Sequence, residues 1–137
     1  MEKRIKTLNA IVSDELGLLL ETWNYHWNVE GANFPSLHKL FEDQYDGLQE
    51  LIDELAERVR ALGGVAETKV SVEFSSGTPV AKMLSGLAER HEGLSAKMGK
   101  KWIPALDKEG DVGSVDLLTR ALQLHDKMAW MLRATAK

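Results

Sequence analysis

The chain has 137 residues, of which 44% are hydrophobic and 28% are charged, and its formal net charge is −4. This length predicts a single domain over residues 1–137, no apolar run is long enough for a transmembrane helix, and the negative charge argues against a globally basic nucleic-acid surface. Because cysteine is absent, disulfides, zinc fingers and iron–sulfur clusters are excluded, and any metal must bind to carboxylate oxygen or imidazole nitrogen.

Two long helices are predicted in the first half of the chain. The first covers about residues 5–29, where apolar residues recur every three or four positions: Leu8, Ile11, Val12, Leu16, Leu19, Trp23 and Trp27. The second begins near Pro35 and Ser36 and ends at Gly63 and Gly64. Its apolar positions are Leu37, Phe41, Tyr45, Leu48, Ile52, Leu55, Val59 and Leu62.

A long connection and two further helices follow. Residues 65–78 contain β-branched residues but end in Ser-Ser-Gly, and we interpret them as a connection. The third helix begins at Pro79 and continues toward Lys101, and Pro104 should kink or end it. After a charged turn at residues 107–113, Ser114 is predicted to cap the fourth helix. The sequence thus predicts an all-α, ferritin-like four-helix bundle with a long crossover between helices 2 and 3.

Residues of the metal-ligand type form two pairs on the second predicted helix. His38 and Glu42, like Asp53 and Glu57, are spaced i,i+4, which places each pair on one face. All four lie on one stripe of the helix, beside its apolar face. His38 and Asp53 are nevertheless separated by about 22 Å along the axis, so that one chain cannot close a site. The alternative interpretation is that these charges form a solvated face.

A second copy of the helix would bring the two pairs together. The pairs are symmetric about a point between Gly47 and Leu48, so an antiparallel two-fold partner places His38 beside Glu57 and Glu42 beside Asp53 of the other chain. Gly47 would allow the two backbones to approach closely. The Glu-x-x-His pairs of bundle-core di-iron sites are absent, because the residues three before the four histidines are Trp23, Pro35, Ala88 and Leu122.

Several blocks of the sequence resemble the Dps family, the mini-ferritins that protect DNA in starved cells. The first is Tyr25-His26-Trp27-Asn28-Val29-x-Gly31-x-x-Phe34-x-x-Leu37-His38-x-x-Phe41, followed by Asp53-Glu54-x-Ala56-Glu57-Arg58-x-x-x-Leu62-Gly63. The C-terminal runs Ser114-x-Asp116-Leu117-Leu118 and His125-Asp126-Lys127-x-x-Trp130-Met131-Leu132-Arg133-Ala134 are also similar. The resemblance covers nearly the whole chain and is weakest at residues 65–78.

The resemblance implies a hollow homo-dodecamer that oxidises Fe²⁺, typically with hydrogen peroxide, at its two-fold interfaces and stores the ferric mineral in its cavity. By position, one subunit supplies the ligands His26, His38 and Glu42, and its neighbour supplies Asp53 and Glu57, with Glu57 bridging the irons. The family usually has Asp in place of Glu42. Zn²⁺ is a possible substitute for iron at these ligands.

Other residues have two interpretations. Trp27 either packs over the metal site and intercepts radicals, as in family members, or lies in the core. His91 and His125 are expected to be ordinary surface or core histidines. Glu109, Asp111 and Asp116 are candidate linings of a three-fold pore for iron entry, because a ring of like charges concentrates cations.

The basic residues near the N-terminus bear on localisation and on DNA. Lys3, Arg4 and Lys6 are followed by Asp14 and Glu15, so that no signal peptide is predicted and a cytoplasmic location is expected. DNA compaction is the alternative function. Scattered basic residues predict that DNA binding is weak or absent, since affinity rises with the number of phosphates neutralised. A structural cage that binds zinc or no metal is a third possibility.

Overall fold

A computed structural model describes residues 1–74 and 77–137 of the chain. Its described residues form helices and irregular segments without a β-strand. They divide into two compact units, Met1–Met83 and Leu84–Lys137. Over these described ranges, none of the helices is both long enough and apolar enough to cross a lipid bilayer.

The first unit is built on a pair of long helices. Helix α1 (Glu2–Asn28) and helix α2 (Phe34–Ala61) pack against each other and are joined by a short turn. Pro35 lies in the first turn of α2, where its missing N–H would have no helical partner. Gly31 in the joining turn has φ +118°, a conformation that residues with a Cβ rarely adopt. Both predicted helices are therefore confirmed, with ends shifted by a few residues.

The buried face of α1 differs from the predicted apolar stripe. Trp23 and Trp27, predicted to lie on that stripe, are 36% and 58% exposed in the single chain. The positions that are buried instead include the polar residues Glu15, Thr22 and His26. Thr22 is accommodated because its Oγ1 donates to the carbonyl of Leu18 at 2.8 Å. Apolar spacing alone does not predict the buried face of α1 correctly, because polar residues occupy part of that face.

The connection after α2 has no regular secondary structure over residues 64–74, as predicted. It lies along α1 through side-chain hydrogen bonds. The Asn9 amide donates to the carbonyl of Val65 and accepts from the N–H of Glu67, and Ser13 Oγ accepts from the N–H of Lys69. The remaining part of the predicted connection includes Ser75 and Ser76, which lie outside the described residues.

The second unit contains most of helix α3 (Val80–Lys97), which runs through a π-helical turn (Met98–Trp102) into helix α4 (Ile103–Lys108). Pro104 was predicted to kink or end this helix. The α-helical hydrogen bonding changes just before Pro104, but the helix continues to Lys108. A π-turn has a wider ring of hydrogen bonds, so it accommodates a residue that lacks an N–H and crowds the carbonyl four residues earlier.

Helix α5 (Val112–Thr135) begins earlier than predicted, and its cap is Asp111 rather than Ser114. The buried Asp111 carboxylate accepts hydrogen bonds from the Ser114 N–H at 3.1 Å and from its hydroxyl at 2.6 Å. This arrangement satisfies one N–H of the first helical turn. Among the predicted pore residues, Asp111 is thus engaged as a cap, whereas Glu109 and Asp116 are exposed and their pore role stays a prediction.

Candidate metal centre

His26 and His38 form a symmetric pair across the turn between α1 and α2. His26 Nδ1 lies 2.7 Å from the carbonyl oxygen of His38, and His38 Nδ1 lies 2.6 Å from the carbonyl oxygen of His26. The two rings stack with centroids 3.6 Å apart and an interplanar angle of 16°. His26 is buried and His38 is half-buried. The last turn of α1 and the first turns of α2 are therefore connected by two hydrogen bonds from their own histidines.

These hydrogen bonds fix the tautomer of both imidazoles. A carbonyl oxygen can only accept, so each Nδ1 must carry the proton. In the neutral ring, Nε2 then keeps its lone pair. An imidazole whose other nitrogen donates to a backbone carbonyl is the usual arrangement of a histidine that ligates a metal. Both rings thus carry the proton on Nδ1 and present the lone pair of Nε2 to a metal.

Aromatic side chains surround the histidine pair. The Tyr45 ring meets His26 edge-on at a centroid distance of 5.1 Å, and Phe34 stacks on His38 at 4.9 Å. Trp23 contacts both Tyr45, at 5.5 Å, and Trp27, at 5.0 Å. Trp27 is therefore an exposed residue connected to the site through other rings, and its assignment to the core was wrong for the single chain. Neither Tyr45 nor Phe34 was identified as a site residue, although both lie at helical spacing from the ligands.

Glu42 is oriented by the neighbouring cation Lys39, which was not among the predicted site residues. Lys39 Nζ lies 3.2 Å from Glu42 Oε2 and 2.9 Å from Asp43 Oδ1. The hydrogen bonds with Asp43 and then Glu42 raise the pKa of Lys39, so that it stays charged. Lys39 precedes Glu42 by three positions, a spacing that places the two side chains together on a helix. A metal that binds to Glu42 must compete with this lysine.

Asp53 and Glu57 form an exposed carboxylate pair near the other end of α2. A hydrogen bond that the protonated Glu57 carboxyl donates to Asp53, and next the repulsion between the two charges, raise the pKa of Glu57. The two carboxyl groups are therefore close neighbours on one face of α2, as their i,i+4 spacing predicts. A divalent cation placed between them would relieve the same repulsion.

The two ligand pairs lie on one continuous helix. Helix α2 extends without interruption from Phe34 to Ala61, so that Asp53, fifteen positions after His38, lies about 22 Å from it along the axis. Within the described parts of the chain, no group of three or more His, Cys, Asp or Glu residues is close enough to hold a metal ion. The structure thus brings His26 to His38 and Asp53 to Glu57, but it does not unite the two pairs within one chain.

The two remaining histidines lie away from this centre. His91 on α3 and His125 on α5 are buried, which makes them core histidines. Their Nδ1 atoms are 2.7 Å apart. This pairing was not predicted, because 34 residues separate the two in sequence.

Comparisons with known proteins match nearly the whole length of the chain. A sequence profile of the ferritin-like domain matches residues 5–137, which include all but the first four residues of the two compact units. The chain is 37% identical to a low temperature-induced protein of Nostoc, over 95% of this chain and 78% of the relative. It is 35% identical to the DNA protection during starvation protein 2 of Bacillus anthracis, over 95% of this chain and 94% of the relative.

The similarity extends to solved structures. The X-ray structure of Dps from Thermosynechococcus elongatus superposes with a TM-score of 0.90 at 31% identity, covering 99% of this chain and 91% of that one. The predicted all-α, four-helix fold is confirmed by this likeness together with the four long helical segments.

Proposed function

The chain belongs to the Dps family of ferritin-like proteins, whose general function is iron storage and DNA protection, and we propose that it oxidises Fe²⁺ at sites shared between two subunits. His26, His38 and Glu42 come from one subunit, and Asp53 and Glu57 come from its two-fold neighbour. The observation that carries this proposal is the reciprocal bonding of His26 and His38, which leaves both Nε2 lone pairs available for a metal.

The shared site is supported by the separation of the two ligand pairs. An antiparallel copy of α2, related by a two-fold axis near Gly47, would place His38 of one chain opposite Glu57 of the other. An isologous contact generates two equivalent sites per dimer. The exposure of Asp53 and Glu57, and of the Trp23–Trp27 surface, agrees with an interface that a single chain leaves open.

The proposed ligand set suits iron oxidation. Imidazole nitrogen binds Fe²⁺, whereas carboxylate oxygens are harder ligands that favour the Fe³⁺ product. With hydrogen peroxide as oxidant, each of two Fe²⁺ ions gives one electron, the O–O bond breaks, and both oxygens leave as water or hydroxide. Hydrolysis of Fe³⁺ to the mineral then releases protons, and the carboxylates of the site can accept them.

Removal of Fe²⁺ and peroxide together explains how such a protein protects DNA, because these two reactants generate damaging radicals. We propose that twelve subunits enclose the mineral, as the resemblance to Dps proteins implies. Zn²⁺ fits the same nitrogen and oxygen ligands but cannot be oxidised, so it is expected to inhibit the reaction.

Mixing two inactive variants tests the shared site. The His26→Ala/His38→Ala chain lacks the ligands of one side, and the Asp53→Ala/Glu57→Ala chain lacks those of the other. In a mixed dimer, one site carries all four substitutions and the other site is intact. Iron oxidation should therefore reappear when the two variants are unfolded together and co-assembled.

A matched mixture provides the control. The His26→Ala/His38→Ala chain mixed with a Glu42→Ala chain has both defects on the same side, so every site in a mixed dimer remains damaged. This mixture should gain no activity beyond that of its separate components. Failure of the first mixture to regain activity, in dimers shown by mass spectrometry to be mixed, would contradict the shared site.

A further inference from the structure

The buried pair His91 and His125 has no part in the proposed iron chemistry. The two side chains are fully buried, one on α3 and the other on α5 of the Leu84–Lys137 unit. Their Nδ1 atoms lie 2.7 Å apart, and the ring centroids are 5.0 Å apart with the rings tilted by 44°. Two ionisable groups in direct contact within a core require an explanation.

The distance between the two nitrogens distinguishes a hydrogen bond from a metal site. Two imidazoles on one tetrahedral zinc ion, with Zn–N bonds of about 2.0–2.1 Å, have nitrogens about 3.3 Å apart. The observed 2.7 Å is shorter than this and matches a strong hydrogen bond. Within the described residues, no third His, Asp or Glu joins the pair as a ligand. The two rings are therefore joined by an N–H···N hydrogen bond.

Counting protons shows which ring donates. One Nδ1 must carry a hydrogen and the other must not, and His91 Nε2 is buried without a hydrogen-bond partner. If His91 accepted at Nδ1, its proton would lie on Nε2 as an orphaned donor. If His91 donates, the unsatisfied group at Nε2 is a lone pair. Buried acceptors without a partner are less rare than buried N–H groups without one. The geometry thus favours His91 Nδ1–H as donor and His125 Nδ1 as acceptor.

We propose that the His91–His125 hydrogen bond is an acid-sensitive latch between α3 and α5. The bond exists while the pair carries two ring protons in total. A third proton on His125 Nδ1 would place two N–H donors face to face, and a third proton on His91 Nε2 would create a buried charge without an acceptor. The first event breaks the hydrogen bond, and the second places a charge without an acceptor in the core, so both favour separation of the two helices.

The surroundings of the pair disfavour the third proton. Burial, then the neighbouring His125, then the positive charge of Arg90 lower the pKa of His91 to about 3. Elsewhere on the two helices, Glu92 and Arg133 form an ion pair, and Asp126 accepts a hydrogen bond from Ser95. The π-helical turn and α4 also contact α5, and their charged residues Lys100, Lys101, Asp107 and Lys108 are exposed.

The sign of the effect follows from the pKa of His91. Well above pH 6.5 this imidazole is neutral in both the folded and the unfolded chain. As the pH falls from 6.5 toward 3, His91 binds a proton in the unfolded chain but stays neutral in the folded chain. The equilibrium constant for opening then rises by up to tenfold per pH unit, so that the latch is progressively destabilised over this window.

Hydrogen exchange of the assembled protein between pH 7.5 and 5.5 tests the latch. After correction for the intrinsic pH dependence of exchange, protection of peptides within Val80–Lys97 and Val112–Thr135 should fall by about fivefold from pH 6.5 to 5.5. Carboxylates titrate below this range. The His91→Leu/His125→Leu variant removes the titration and should show no such fall.

A second variant covers the case in which the leucine pair does not fold. His91→Asn/His125→Asn can keep one amide-to-carbonyl hydrogen bond but cannot titrate, and it should also lose the pH dependence. If either variant retains the slope of the parent chain, the latch is contradicted. Zinc-dependent protection of the same peptides in a His38→Ala/Asp53→Ala background would instead make the pair a metal site and overturn the proposal.

Discussion

His26 Nδ1 donates to the carbonyl of His38 at 2.7 Å, and His38 Nδ1 donates to the carbonyl of His26 at 2.6 Å. This reciprocal contact connects the end of α1 to the start of α2 by two side chains that are themselves the proposed metal ligands. Loss of either histidine therefore removes a ligand, one hydrogen bond across the turn and the stacking partner of the other ring, whereas the other ring keeps its backbone acceptor.

Ligand substitution should separate iron chemistry from folding. His38→Ala or Asp53→Ala is expected to lower the rate of Fe²⁺ oxidation by at least about tenfold, because loss of even a hydrogen-bond partner of a metal ligand typically costs about 10–100-fold in affinity or activity. Glu54→Ala is the matched control, since Glu54 is an exposed carboxylate adjacent to Asp53 that is not a proposed ligand. Stopped-flow absorbance of Fe³⁺, with circular dichroism for helix content, measures both properties. Parent-like rates in both ligand variants would show the assignment to be wrong.

Lys39 should weaken metal binding at Glu42. Replacing it by Met removes the cation 3.2 Å from the Glu42 carboxylate, so Fe²⁺ or Co²⁺ should bind more tightly by less than about fivefold, because exposed ion pairs are weak. Lys39→Arg keeps the charge and should leave the affinity near that of the parent chain. Isothermal titration with Co²⁺ measures the change. Equal affinities for the Met and Arg variants would indicate that Glu42 does not bind the metal.

The assembly should be a closed cage of about 180 kDa, twelve copies of a 15.3 kDa chain. Its formation should not depend on iron, because the interfaces are expected to form from apolar and polar surface as well as from the ligands. Light scattering of the metal-free protein measures the mass. A stable monomer would contradict both the cage and the shared site.

Gly31 should be required for the turn that brings His26 to His38. Its φ of +118° makes Gly31→Ala strained even though a Cβ would meet nothing within 4 Å, and the expected cost is about 1–3 kcal/mol. Gly93→Ala is the control, because Gly93 is in the interior of α3 with equally open space and alanine should stabilise a helix by about 1 kcal/mol. Opposite shifts in melting temperature are expected. A neutral Gly31→Ala substitution would show that the turn adapts.

DNA retention should be weak and should disappear at moderate salt, whereas iron oxidation should persist. Each chain has a net charge of −4, and its basic N-terminal residues Lys3, Arg4 and Lys6 are few. Counterion release makes phosphate binding fall steeply with ionic strength, while coordinate bonds to iron depend little on it. Gel shifts at about 50 and 200 mM salt, run beside an oxidation assay, compare the two. Tight complexes at the higher salt would favour DNA compaction as a main function.

The sequence by itself determined the helices, the fold and the stripe of ligand-type residues on α2. These features depend on local rules: apolar spacing, proline and glycine at helix ends, and the i,i+4 geometry that places His38 near Glu42 and Asp53 near Glu57. The sequence also showed that the two pairs are too far apart for one chain, since the rise of a helix is fixed.

The tertiary structure decided which contacts these residues make. Sequence spacing did not show that His26 and His38 exchange hydrogen bonds, because the geometry depends on how the turn at Gly31 places α1 against α2. It did not reveal the His91–His125 bond, which joins residues on separate helices. Nor did it show that Trp23 and Trp27 are exposed while Glu15 is buried. Local propensities act over a few residues, whereas partners and burial are decided by packing between helices.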